Sequence, residues 1–140
     1  MRGPQKYQIE PFYQHLTEKE TEIWTRFIEK YPNYFDEVYY DWEIGSWRGE
    51  EELAPAWEKN RAYLGKYKID VVGRKANVWN IIEIKRSATT KALGEVWAYE
   101  FMWKQENPQY GDIGCIIVTD EEMPNIRLIC EPDGVKLFIV

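Results

Sequence analysis

The run VWNIIEIK, Val78–Lys85, constrains the fold more than any other stretch of this chain. It is short and almost continuously apolar, the pattern of a strand covered on both faces. A second run of this kind, DIGCIIVTD, occupies residues 112–120. Such strands need helices on each side of the sheet, because a single layer would leave one apolar face in water. Yet Glu83 and Lys85 stand inside the first run. Side chains alternate along a strand, so these two point one way and Ile84 points the other. A buried carboxylate and a buried ammonium must find partners or lose their charge.

The flanking segments supply the rest of an α/β domain. TEKETEIWTRFIEKYP predicts a helix with a Thr17/Glu20 capping box, ended at or before Tyr31 by Pro32. Its apolar face is Ile23, Trp24, Phe27, Ile28 and Tyr31. EVYYDWEIG alternates, predicting a half-buried strand with Val38, Tyr40, Trp42 and Ile44 on one side and Glu37, Tyr39, Asp41 and Glu43 on the other. Residues 46–66 read as a long connection. YKIDVVGRKAN then pairs with VWNIIEIK as a hairpin, and TTKALGEVWAYEFMWKQENP is a helix stopped near Asn107–Pro108. The tail is expected to hold a short helix from about Pro124 to Glu131 and a last strand VKLFIV, with a hairpin about Pro132–Gly134 as the alternative. The expected fold is thus a mixed central sheet flanked by helices, preceded by an irregular arm over residues 1–16, with one domain over residues 17–140.

Composition narrows the function classes. The start of the chain lacks the apolar core of a signal peptide and no run is long enough to span a membrane, which points to the cytoplasm. Cys115 and Cys130 are far apart in apolar contexts and read as buried free thiols. His15 is the only histidine and lies in the polar arm, a poor basis for nucleophilic catalysis of the Ser-His or Cys-His kind. The net charge of −6 argues against a generic nucleic-acid binder. Its distribution is uneven, however. Residues 58–91 hold nine Lys/Arg and three acidic residues, which leaves nine basic and 21 acidic residues elsewhere. The segment is either a phosphate-contacting surface or a solvated face.

The hairpin partner of VWNIIEIK carries Asp70, so two carboxylates and one lysine can converge at one end of the sheet. Carboxylates brought together repel unless a cation separates them, and Mg²⁺ suits a few hard carboxylate oxygens plus water. The structural alternative is a salt bridge at the sheet rim. Asp70, twelve intervening residues, then Glu83-Ile84-Lys85 resembles the PD-(D/E)xK nuclease superfamily, with its restriction-endonuclease-like αβββαβ core. The following helix, with ALGEVWAY, resembles the GQxxxY helix of the RecB-like branch, and small members of this kind occur in phages and mobile elements. Ile69 stands where that motif has proline, and Glu95 where the branch has Gln.

The resemblance implies Asp70, Glu83 and the Ile84 carbonyl as Mg²⁺ ligands, with Mn²⁺ able to substitute, and Lys85 beside the attacking water. Glu95 and Tyr99 would line the site. Glu20, one helical face with Trp24, Phe27 and Tyr31, is a further candidate ligand as well as a capping residue. Arg61, Lys66, Lys68, Arg74, Lys75 and Arg86 are candidates for DNA contact, and Trp47, Trp57 and Tyr63 for base stacking. The implied activity is a metal-dependent deoxyribonuclease, acting as a homodimer or within a larger complex, in the host cytoplasm if phage-encoded. The alternative is a non-catalytic nuclease-like module that binds nucleic acid or protein.

Overall fold

A computed structural model describes residues 3–45 and 67–140. Elements in chain order are β1 (Gln5–Lys6), α1 (Glu18–Lys30), β2 (Glu37–Ile44), β3 (Tyr67–Lys75), β4 (Val78–Lys85), α2 (Thr90–Glu106), a 3₁₀ turn (Pro108–Tyr110), β5 (Ile113–Thr119), α3 (Ile126–Cys130) and β6 (Lys136–Ile139). The six strands form one sheet in chain order. Strands β1 to β4 pair antiparallel, and β5 and β6 add to β4 in parallel. Parallel neighbours need a crossover, which α2 provides between β4 and β5 and α3 between β5 and β6. The helices α1 and α2 cover opposite faces, each over its own apolar core.

The first helix starts as its sequence predicts. Thr17 Oγ1 accepts the Glu20 N–H at 3.2 Å, and the Glu20 carboxylate accepts the Thr17 N–H at 2.9 Å. Ile23, Trp24, Phe27 and Ile28 are buried. They join Tyr7, Tyr31, Tyr34, Phe35 and Phe138 in one core, with Trp24 donating to the Tyr40 hydroxyl at 3.0 Å. Trp42, Trp79, Trp103 and Tyr110 gather on the other face. Most of the aromatic residues described are therefore packing material. In β3, a Cβ on Gly73 would stand 2.6 Å from the Phe35 ring, so only glycine lets the ring lie on the strand.

Three features depart from the sequence expectations. The arm is not wholly irregular, since Gln5 and Lys6 pair with Val38 and Glu37. In β2, Val38 and Tyr40 enter the α1 core, whereas Trp42 and Ile44 enter the α2 core. All four are buried, but not on one face: the strand turns over at Asp41, whose φ of 59° is in the left-handed region. The tail takes the helix-then-strand course, but α3 begins two residues later than expected. The turn after α3 closes as a Schellman cap around Gly134 (φ 73°), with Gly134 N–H to the Glu131 carbonyl at 3.1 Å and Val135 N–H to the Cys130 carbonyl at 3.0 Å. That cap sends the chain on as β6, parallel to β5, and the hairpin does not form. Cys115 and Cys130 are buried free thiols. Among the described residues no helix is long and apolar enough to cross a membrane.

Candidate functional site

The site lies where the hairpin opens. The β3–β4 ladder runs from Lys75↔Val78 to Val71↔Ile82, and Asp70 and Glu83 are the next residues beyond its open end. On the other side of β3, the ladder to β2 pairs Tyr40↔Val71 and Trp42↔Ile69, leaving out Asp41 and Asp70 between them. The Asp70 side chain takes over the missing backbone role, as its Oδ2 accepts the Ile84 N–H at 3.0 Å. Strand β4 does not fray there. Its parallel ladder to β5 continues through Glu83↔Ile117 to Lys85↔Thr119, so Glu83 and Lys85 sit on a rigid strand while Asp70 reaches over from its neighbour.

Alternation on β4 sends Ile82 and Ile84 into the α1 core and turns Glu83 and Lys85 toward α2. The turn from β4 into α2 is pinned to β5. Ser87 (φ 44°) donates its N–H to Asp120 at 2.7 Å, and Ala88 donates to Thr119 Oγ1 at 3.0 Å. That turn brings Glu95, on α2, to 3.1 Å from the Lys85 ammonium, which also lies 3.7 Å from Glu83 Oε2. Tyr99, one helical turn after Glu95, is buried beneath the cluster.

Electrostatically the group is unbalanced. Asp70 is 8% exposed and Glu83 is 1% exposed. Three carboxylates share one ammonium, and Glu83 Oε1 is buried with no hydrogen-bond partner. Burial, aided by the charge of Glu20, pushes the Asp70 carboxyl up to about 6 despite its bond from Ile84. Burial, then the charges of Asp70 and Glu95, raises Glu83 well above the usual carboxylate range. For Lys85, burial works against the ammonium, but Glu83 and Glu95 outweigh it and hold its pKa above the ordinary value. Burial followed by the same carboxylates raises the Tyr99 hydroxyl, which stays protonated. The site therefore holds a charged lysine and carboxyls that lack enough positive charge.

A divalent cation fits that deficit. The free Glu83 oxygen and the Asp70 carboxylate are hard oxygen donors on two adjoining strands, and Mg²⁺ is bound through one or two carboxylates with water completing the shell. Among the described residues no group of three or more His, Cys, Asp or Glu side chains stands in metal-holding geometry.

The structure thus gathers Asp70, Glu83, Lys85, Glu95 and Tyr99, with the Ile84 N–H bonded to Asp70. Glu20 is engaged in the capping box, its charge still reaching Asp70. The basic candidates are more scattered. Arg74 pairs with Glu37 at 2.7 Å, and Lys75 pairs with Asp36 at 3.2 Å. Both lie toward the hairpin turn, at the far end of β3 from Asp70. Lys68 pairs with Asp41 at 3.6 Å, and Arg86 is exposed beside Lys85. Arg61, Lys66, Trp47, Trp57 and Tyr63 lie outside the described residues. From sequence alone His15 is a poor basis for nucleophilic catalysis and Asp41 falls on the polar face of its strand. Here His15 Nδ1 stands 3.6 Å from Asp41 Oδ1, in the electrostatic neighbourhood of Asp70. No local signal in the sequence announces that meeting.

No protein-family model matches the sequence, and no curated protein matches it. Solved structures do. A repair endonuclease from Pyrococcus abyssi superposes with a TM-score of 0.52 at 18% identity, over 94% of this chain and 49% of the other. EndoMS in complex with double-stranded DNA gives a TM-score of 0.52 at 14% identity, over 94% of this chain and 48% of the other. The chain spans about half the length of each of these proteins. It shares the restriction-endonuclease-like fold of these structures.

Proposed function

We propose that the protein is a divalent-metal-dependent nuclease that hydrolyses DNA phosphodiester bonds at the Asp70/Glu83/Lys85 site. The observation that carries this reading is the unpartnered, buried Glu83 Oε1 beside Asp70 at the fork of the hairpin, with Lys85 3.7 Å from the other Glu83 oxygen. Asp70 and Glu83, helped by the Ile84 carbonyl, would hold the ion. Bound Mg²⁺ or Mn²⁺ supplies Lewis-acid stabilisation of the charge developing on the phosphoryl and leaving oxygens. Lys85, whose ammonium lies 3.1 Å from Glu95, stands beside the attacking water and the phosphate and orients them. Water attacks phosphorus in line, one P–O bond forms as the opposite one breaks, and no covalent intermediate is needed. Glu95 fixes the ammonium, and the Tyr99 hydroxyl remains a donor beneath the cluster. The repair endonuclease and DNA-bound structures with the same fold support DNA as the substrate class.

The test is incubation of supercoiled, linear and branched DNA with the protein in Mg²⁺, Mn²⁺ or EDTA. Metal-dependent cleavage that is lost in Asp70→Asn and Glu83→Gln is expected. Cleavage that survives EDTA or both substitutions would overturn the assignment. One observation favours a second reading, a non-catalytic module that binds nucleic acid or protein: Glu95 already occupies the Lys85 ammonium at 3.1 Å. Metal binding without cleavage, in both wild type and Glu95→Gln, would select it.

A further inference from the structure

Asp41 is the least comfortable residue in the sheet. It sits inside β2 at a φ of 59°, in the left-handed region that strains a non-glycine residue. It breaks the β2–β3 ladder beside Asp70. Its side chain is only 16% exposed, and Oδ1 is buried without a hydrogen bond. The two oxygens face an imidazole and an ammonium. Oδ1 lies 3.6 Å from His15 Nδ1, and Oδ2 lies 3.6 Å from Lys68 Nζ. His15 is itself left-handed, at φ 74°. Strain at both members of one pair, next to the carboxylate centre, favours a site over a random surface contact. The arm is itself anchored on α1, since its buried Tyr13 shares a hydrogen bond with Thr25 at 2.9 Å.

The chemistry of the pair is directional. Nδ1 faces the carboxylate, so Nε2 is the ring nitrogen turned away from it. The His15 side chain is 41% exposed, which leaves the ring accessible to a ligand. A phosphate oxygen is the ligand that a second N–H donor, with Lys68 nearby, would take. A ring N–H at that position donates to such an oxygen.

We infer that His15 is a substrate-binding residue, oriented by Asp41, that takes a backbone phosphate of the bound nucleic acid beside the scissile one. The inference rests on the nuclease reading for the identity of its ligand. His15 contacts the substrate. Asp41 is a positioning residue that acts through it, and Lys68 is the cation of the same contact.

The experiment measures binding of a fluorescent 30-base-pair duplex by anisotropy across a salt series, cleavage kinetics with Mn²⁺, and calorimetric Mn²⁺ binding without DNA. The variants are His15→Ala, His15→Lys and Asp41→Asn, each checked by thermal melt. His15→Ala is expected to weaken duplex binding and raise KM about tenfold with kcat within about twofold. It should also flatten the salt dependence by up to about one phosphate contact. Asp41→Asn should shift KM in the same direction but less. His15→Lys should recover most of the affinity, because an N–H donor for phosphate returns to the position, which a purely structural role would not allow. Unchanged binding in His15→Ala, or no recovery in His15→Lys, would overturn the inference. So would loss of Mn²⁺ binding in His15→Ala, which would place His15 on the metal instead. Failure of the wild type to bind duplex at all would instead sink the nuclease reading. Anisotropy does not depend on cleavage, so the two failures are distinguishable.

Discussion

Replacing Asp70 by Asn tests the site without any substrate. In the metal-free protein Asp70 titrates at about 6, against an ordinary 3.8. A raised folded pKa means that folding disfavours the carboxylate. Its destabilising effect is absent below about pH 3.8, where both states are protonated, grows as pH rises, and is complete above about pH 6. At about 1.4 kcal/mol per pH unit, the gap is worth about 3 kcal/mol at neutral pH. Asn removes the charge yet keeps a carbonyl oxygen to accept the Ile84 N–H, so Asp70→Asn in EDTA at pH 7.5 should match or exceed wild type by about 1–3 kcal/mol. For a domain of this size that is roughly 3–5 °C in Tm per kcal/mol. Metal supplies the second arm. A ligand at a hundredfold its Kd stabilises the folded state by about 2.7 kcal/mol, so wild type should melt higher with saturating Mn²⁺ while the variant barely moves. Lowering the pH from 7.5 to 5.5 in EDTA should narrow the difference between the two proteins. The assay is a set of thermal melts of both proteins at matched ionic strength. A structural salt bridge predicts the reverse, a loss of about 3–5 kcal/mol on breaking a buried pair. A variant clearly less stable in EDTA, with a wild type indifferent to metal, would refute the reasoning.

Further outcomes follow from individual contacts. Lys85→Ala should abolish cleavage while calorimetric Mn²⁺ affinity falls less than in Glu83→Gln, since lysine is not a ligand. Gly73→Ala should cost about 1–3 kcal/mol in chemical denaturation, because the new Cβ meets the Phe35 ring at 2.6 Å. Thr17→Ala should cost about 1 kcal/mol by removing the α1 cap, with metal affinity unchanged.

The elements and the central site were legible because their signals are local. The Thr17/Glu20 cap, the stop at Pro32, and the unbroken apolar runs of β4 and β5 each depend on residues within one turn or one strand. Asp70, Glu83 and Lys85 were legible because a hairpin places its two strands side by side whatever surrounds them. The tail needed more than periodicity. Its hairpin and helix alternatives differ in one glycine's role, and the Schellman cap at Gly134 belongs to the helix. The reversal at Asp41 was not legible at all. Alternating burial reads the same whether Val38 to Ile44 face one helix or two, and only the positions of α1 and α2 distinguish them. Glu95 meets Lys85, and His15 meets Asp41, across gaps of ten and 26 residues. Those meetings depend on how a helix and an arm dock onto a finished sheet. Docking angle and depth come from the summed packing of two cores, a property no short window of residues carries.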